Sequence, residues 1–199
     1  MYFINFFFTI VLVLLLILLI PLSILCMVID GKLTNIFFHQ KRIGINGNNI
    51  TVIKFKTFKV NDNNFNSDVS NDQLNTFGVL FKKFGLDEIP QVINILKGEM
   101  SLVGPRCHAI IYENNYLKLL KNTPNSDLHI RNRRKVLPGL IGLSQIHGFR
   151  GDSNNYEEQK YLIRWRYKLD SFYVTNNSLG LNLKIILLYL KKLFFNNLK

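Results

Sequence analysis

The sequence predicts an α+β fold: a helix-dominated body with one short β-hairpin, carried on an N-terminal re-entrant or transmembrane helix. Three observations predict it. The stretch Phe3–Ile29 is uncharged and overwhelmingly apolar. Two apolar-rich runs, Ile36–Arg42 and Ile50–Lys56, flank Ile45-Asn46-Gly47-Asn48-Asn49, and Asn-Gly between such runs is a strong hairpin signal. Most of the remaining chain carries apolar residues at helical spacing.

The apolar run comes first. At about 1.5 Å per residue it reaches roughly 40 Å as a helix, enough to cross a bilayer core. A cleaved signal peptide is excluded by the length of the run and by the lack of a basic segment before it or a small-x-small site after it. Lys32, Lys41 and Arg42 follow the run and nothing basic precedes it, so the positive-inside rule puts the body on the cytoplasmic side of the inner membrane. The sequons at Asn49 and Asn176 are then chance matches. Pro21 sits inside the run, where it either kinks a spanning helix or breaks a re-entrant one.

The body follows. After the hairpin, Val60–Gln73 is rich in Asn, Asp and Ser and reads as a surface loop. Leu74–Phe84 is helix-like, with Phe77, Leu80, Phe81 and Phe84 on one face and Gly85 ending it. A helix opens at the carboxylate pair Asp87-Glu88, buries Ile89, Val92, Ile93 and Leu96 at i, i+3, i+4, i+7 spacing and stops at Gly98. Pro90 falls in its first turn, where a missing N–H costs little.

Ile110–Leu120 is another helix, Asn122–Asp127 a loop, and Arg131–Lys135 a basic cluster leading into the Pro138-Gly139 turn. Tyr156–Tyr173 is a long charged helix. Asn182–Phe195 closes the chain, with Leu183, Ile186, Leu187, Leu190 and Phe194 along one side and Lys184, Lys191 and Lys192 able to reach headgroups. It reads equally as a helix lying on an anionic membrane or as one packed on its own domain. No internal repeat or linker interrupts 31–199, so the organisation is a membrane-inserted segment, 1–30, and one domain, 31–199.

Charge and cysteine content bound the partners. The chain has 199 residues, a net charge of +12 and a pI near 9.8, which calls for anionic partners: phosphates, acidic lipids or nucleic acid. No nucleic-acid motif is present, so that partner is set aside. Two cysteines, Cys26 and Cys107, form no disulfide framework. His108, His129 and His147 are scattered without ligand spacing.

The residues able to carry chemistry each have a plainer use. Asp87 is an ordinary helix cap, and Glu88 an ordinary first-turn carboxylate. The dipole at a helix N-terminus would also keep Asp87 ionised, as a nucleophile needs. Arg106, on the Val103-Gly104-Pro105 turn, suits either a surface ion pair or two-pronged phosphate binding. Lys54 and Lys56 suit an exposed strand edge. Arg150 suits pairing with Asp152 or Glu157, or a phosphate.

Five blocks stand in order along the chain and bear on Lys54, Lys56, Asp87, Glu88 and Arg106, while Arg150 stays open. They are Lys54-Phe55-Lys56-Thr57-Phe58, Asp87-Glu88, Lys97-Gly98-Glu99-Met100-Ser101-Leu102-Val103-Gly104-Pro105-Arg106, Pro138-Gly139-Leu140-Ile141-Gly142-Leu143-Ser144-Gln145, and Asp170-Ser171-Phe172-Tyr173. Together they resemble the bacterial sugar transferases, the monotopic phosphoglycosyl transferases. The wording around His108 and His147 is most similar to the exopolysaccharide and colanic-acid branch.

The resemblance implies transfer of a sugar-1-phosphate from a UDP-sugar to undecaprenyl phosphate, through a phosphosugar intermediate on Asp87. It implies that Glu88 helps place magnesium, that Lys54, Lys56, Arg106, Gln145 and Arg150 contact substrate or phosphate, and that the helix re-enters at Pro21. Membrane lipids are implied partners, and a homodimer is compatible. Extra N-terminal spans of larger relatives are missing here, which reads as a minimal form. The chain departs from the family wording at Ile20, Lys56, Cys107 (where the family has a second proline), Leu137, Ile141 and Asn182. The rival reading is a degenerate, membrane-anchored protein that binds sugar nucleotide or anionic lipid.

Overall fold

The computed structural model describes residues 2–29, 35–57, 78–121, 123–149 and 152–195, without the side chains at 2–5, 26, 27, 194 and 195. The expected loop at Val60–Gln73, Phe77 and Arg150 lie outside the described residues. Helix α1 runs over Tyr2–Ile29 and continues through Pro21. The ring removes one N–H and crowds the preceding turn. Ser23 Oγ donates to the Ile20 carbonyl at 2.7 Å, in the turn that the ring enters, rather than to residue 17.

Strands β1 (Phe37–Ile43) and β2 (Asn49–Phe55) pair antiparallel, with Phe38 opposite Lys54. Asn46 and Gly47 both take positive φ, 56° and 81°, at the turn. This is the conformation that Asn and Gly adopt most cheaply.

Helix α2 covers Gly78–Phe84 and ends at Gly85, φ +67°. Its expected apolar face is only partly buried. Phe81 packs inside, while Leu80 and Phe84 are exposed. The next element also differs from expectation. Leu86–Gln91 is a 3-10 segment, and α-helix α3 begins only at Val92 and ends at Leu96. Pro90 disfavours the α conformation at Ile89, so the chain winds more tightly here. Three residues per turn instead of 3.6 shifts the phase of the apolar stripe. Ile89 and Val92 are buried, and Leu96 is left 64% exposed. Gly98, φ +74°, stops the helix as expected.

Strands β3 (Ser101–Val103) and β4 (Gly139–Ile141) form a parallel pair that periodicity did not reveal. They touch at Gly104 and Gly139, where a Cβ on Gly139 would lie 2.0 Å from the Gly104 nitrogen. Helices α4 (Ile110–Leu120), α5 (Ser126–Arg133), α6 (Leu143–Ile146), α7 (Tyr156–Thr175) and α8 (Leu179–Phe195) complete the body. Helix α5 corrects the loop expected to continue to Asp127. Asn155 starts α7, its side chain accepting from the Glu158 N–H.

The core has two centres relevant to function. Leu16 and Leu19 of α1 pack with Phe55, Phe81, Ile89 and Val92. Phe8 and Leu12 of α1 lie against Leu102, Leu140, Ile185 and Ile186. The body therefore covers one flank of α1 from residue 8 to residue 20, while Phe6, Phe7, Ile10, Leu14, Ile17 and Leu18 face outward.

Helix α8 has a packed side and an exposed apolar side. Ile185 and Ile186 are buried in the body, but Leu183, Leu187 and Leu190 are exposed, which corrects the single face expected to carry Ile186 and Leu187 together. Lys192 does not extend freely: its Nζ donates to the carbonyls of Gln145 and Ile146, at 3.2 and 3.3 Å, at the end of α6.

Candidate active site

Three separate elements converge on Glu88. The 3-10 segment holds its carboxylate inside the body, 5% exposed. Strand β2 brings Lys54, whose Nζ lies 2.9 Å from Oε1. The turn after β3 brings Arg106, whose Nη1 donates to Oε2 at 3.0 Å and whose Nη2 donates to Oε1. The guanidinium thus grips both oxygens, the fork geometry only arginine offers.

Asp87 is buried beside Glu88. An α-helix dipole is a minor support for its charge, since the helix starts only at Val92 and is five residues long. Cations take that role: Lys54, Arg106 and Lys82 all lie within the electrostatic reach of Asp87. Burial lowers the Lys54 pKa from its usual value, with Glu88 opposing the drop. Burial also works against the charge of Arg106, but the attraction and hydrogen bonds of Glu88 overcome it, so the arginine stays firmly protonated.

The register of β2 against this segment is fixed by Asn94 of α3, which is fully buried. Its Oδ1 accepts from the Ile53 N–H at 3.2 Å, and its Nδ2 donates to the Thr51 carbonyl at 2.7 Å and to Glu99 at 2.6 Å. Lys54 is the next residue along, so Asn94 sets where its ammonium falls. No sequence signal marked Asn94. A buried Asn on a short helix is visible only once its partners are placed.

The other expected site residues divide. Lys56 is half-buried just beyond β2, with its backbone N–H on the Ile36 carbonyl at 2.9 Å. Gln145 is buried and caps α6, its Oε1 accepting from the Gly142 N–H. The structure brings Lys54, Asp87, Glu88 and Arg106 together and leaves Gln145 in the helix it caps.

Behind Arg106 lies a second polar cluster built from Arg133, His108, Glu113, Tyr167 and Asp170. Arg133 donates to the Arg106 carbonyl, lies over the Tyr167 ring at 4.5 Å and is 3.5 Å from Asp170. Glu113 pairs with Arg134 at 2.7 Å and His108 at 3.4 Å. Burial works against its ionisation, but those hydrogen bonds prevail and bring its pKa down to about 2. Burial and the Arg133 charge keep His108 neutral, well below its usual pKa.

The sequence profile of the bacterial sugar transferases matches residues 2–196. The chain belongs to the bacterial sugar transferase family. Among its relatives is the UDP-glucose:undecaprenyl-phosphate glucose-1-phosphate transferase of Escherichia coli K12. It is 35% identical over 193 residues, 94% of this chain and 39% of the relative. The enzyme of the same name from Xanthomonas campestris pv. campestris is 36% identical over 157 residues, 77% of this chain and 30% of the relative. An exopolysaccharide production protein of Rhizobium leguminosarum bv. phaseoli is 32% identical over 155 residues, 76% of this chain and 74% of the relative. The chain thus spans about a third of the length of the two glucose-1-phosphate transferases. Within this bacterial sugar transferase domain, the matched region includes both carboxylates, both cations that grip Glu88 and helix α1.

Proposed function

We propose that this domain transfers a sugar-1-phosphate, glucose-1-phosphate first among candidates, from a UDP-sugar to undecaprenyl phosphate. The observation that carries the reading is the Lys54–Glu88–Arg106 constellation beside a second buried carboxylate, Asp87. The names of the relatives, which specify UDP-glucose and undecaprenyl phosphate, support the substrate class.

The chemistry divides between the residues. An Asp87 oxygen attacks the β-phosphorus of the UDP-sugar, the bond to UMP breaks, and UMP leaves. An oxygen of the polyprenyl phosphate then attacks the same phosphorus and releases the Asp87 carboxylate. Arg106 and Lys54 hold phosphate oxygens and offset charge that builds on them. Glu88 engages both of these cations, and Lys82 adds a third positive charge within reach of Asp87.

Magnesium fits the residues present, because the Glu88 carboxylate beside the attacking Asp87 is a hard oxygen donor of the kind this ion uses beside phosphates. When bound it would supply charge neutralisation for the departing UMP.

Membrane attachment supports the lipid acceptor. Helix α1 has a 20-residue apolar stretch, Phe6–Leu25, long enough to cross a membrane. The body covers one flank of that helix over residues 8–20. A helix sheathed in this way favours shallow or re-entrant insertion over a free span, with the body on the cytoplasmic side of the inner membrane. The exposed Leu80, Phe84, Leu183, Leu187 and Leu190 extend the apolar surface around it.

The test is UMP release from a panel of UDP-sugars, with undecaprenyl phosphate in detergent and with or without chelator. Release with UDP-glucose, lost in excess chelator and restored by magnesium, is the expected result. No release from any UDP-sugar would leave the degenerate-binder reading.

A further inference from the structure

The backbone after Arg106 is held at three successive carbonyls, each from a different source. The Arg106 carbonyl accepts from Nη2 of Arg133, which stands at the end of α5. The Cys107 carbonyl accepts from Nη1 of Arg42, on β1, at 2.8 Å. The His108 carbonyl accepts from the Ile43 N–H at 2.9 Å. Both arginines are themselves fixed. Arg42 donates Nε and Nη2 to Gln40 Oε1 at 2.9 and 2.6 Å. Arg133 lies 4.5 Å over the Tyr167 ring, approaches His108 Nδ1 at 2.9 Å and lies 3.5 Å from Asp170. The Cys107 side chain between the two gripped carbonyls is buried with Ile50, Val52 and Met100.

We propose that Arg42 and Arg133 form a two-sided guanidinium clamp on the 106–107 backbone, acting as positioning residues that deliver the Arg106 fork to Glu88 and to phosphate. Arg106 grips both Glu88 oxygens, and a two-pronged contact tolerates little displacement of the Cα that carries it. Between β3 and α4 the turn has only the isolated bridge of Ala109 with Arg42 and no helix or ladder of its own, so its position is supplied by other elements. A charged donor on a carbonyl makes a stronger bond than a neutral one. The two arginines come from different elements, the hairpin and the end of α5, which are themselves joined by the Asn46 N–H on the Arg134 carbonyl at 2.7 Å. The part of the proposal that concerns turnover rests on the proposed function above. The clamp itself does not.

Two readouts test it on the full chain in detergent. The first is the alkylation rate of Cys107 by iodoacetamide, followed by mass spectrometry of its peptide, well below the melting transition. Arg42→Gln and Arg133→Lys should each raise the rate about tenfold. Arg42→Lys, which keeps one donor, should raise it less. Arg42 lies half-buried on an edge strand, so its variants keep the experiment readable even if Arg133→Lys does not fold. The second readout is a double-mutant cycle on UMP release, using radiolabelled UDP-glucose to follow residual rates. Arg42→Gln should slow the parent at least about tenfold and leave Arg106→Ala within about twofold. Unchanged Cys107 alkylation in the Arg42 variants, or the same fold-loss with and without Arg106, overturns the clamp. If the parent releases no UMP, the proposed function falls, and Cys107 reactivity alone decides the clamp.

Discussion

Arg106 and Glu88 face each other fork to fork, with Nη1 3.0 Å from Oε2 and Nη2 on Oε1, although eighteen residues separate them along the chain. Both side chains are largely buried, so each depends on the other to hold its charge away from water. Arg106→Lys keeps the charge but gives up the fork, so UMP release should fall about 10- to 100-fold. Arg106→Ala should cost about 100-fold or more. Glu88→Gln should also slow release, while its affinity for UMP, measured by calorimetry, should not weaken, because Lys54 and Arg106 lose an internal competitor. Full UMP release by Arg106→Ala would remove the phosphate role.

Asp87→Asn preserves shape and removes the attacking charge. Turnover should drop about a thousandfold or more. The parent should exchange labelled UMP into UDP-glucose with no polyprenyl phosphate present, since the first half-reaction is complete in itself. Exchange that demands the lipid would favour direct transfer and return Asp87 to a structural carboxylate.

Gly139 opens β4 alongside β3, and a Cβ there would meet the Gly104 nitrogen at 2.0 Å and its Cα at 2.5 Å. Backbone cannot swing away as a side chain can. Gly139→Ala should destabilise by about 3 kcal/mol, lowering the melting temperature by about 6–12 °C. Activity should fall with it, because the same contact sets the turn that carries Arg106. A melting temperature unchanged within a degree or two would contradict the close approach.

Glu113 has a folded pKa near 2, below its ordinary value of 4.5. A depressed carboxyl stabilises the fold above its unfolded pKa and loses that contribution as pH falls toward the folded one. Stability should therefore decline between about pH 4.5 and pH 2, as the pairing with Arg134 and His108 is lost. Glu113→Gln should flatten that part of a urea-denaturation series recorded against pH. An unaltered slope would mean that the pair contributes nothing there.

Helix α1 should present both ends to the cytoplasm. Its middle packs on the body at Leu16 and Leu19, which a straight spanning helix would carry into the hydrocarbon core. Tyr2→Cys should react with a membrane-impermeant thiol reagent only in inverted vesicles or opened cells. Labelling from the periplasmic side alone would establish a spanning helix.

Local physics was enough for much of this protein. The apolar run to Ile29, the Asn46-Gly47 turn and the stops at Gly85 and Gly98 each depend on residues within a few positions of one another, so the sequence by itself determined them. It also determined which residues to watch, since Asp87, Glu88 and Arg106 stand in blocks whose order is readable without coordinates. Where local signals competed, reading failed. Pro90 tightened the turn to 3-10 and threw Leu96 to the surface, and α8 parts buried Ile186 from exposed Leu187, which its spacing had set on one side. What the tertiary structure alone decided is partnership. The Glu88 carboxylate draws Lys54 from a strand and Arg106 from a turn. Asn94 reaches across to Thr51 and Ile53, Arg133 to Arg106, and Gly104 admits Gly139. These contacts join residues eighteen to forty-three positions apart, and their energies depend on burial and angle, quantities that exist only once the chain has closed on itself.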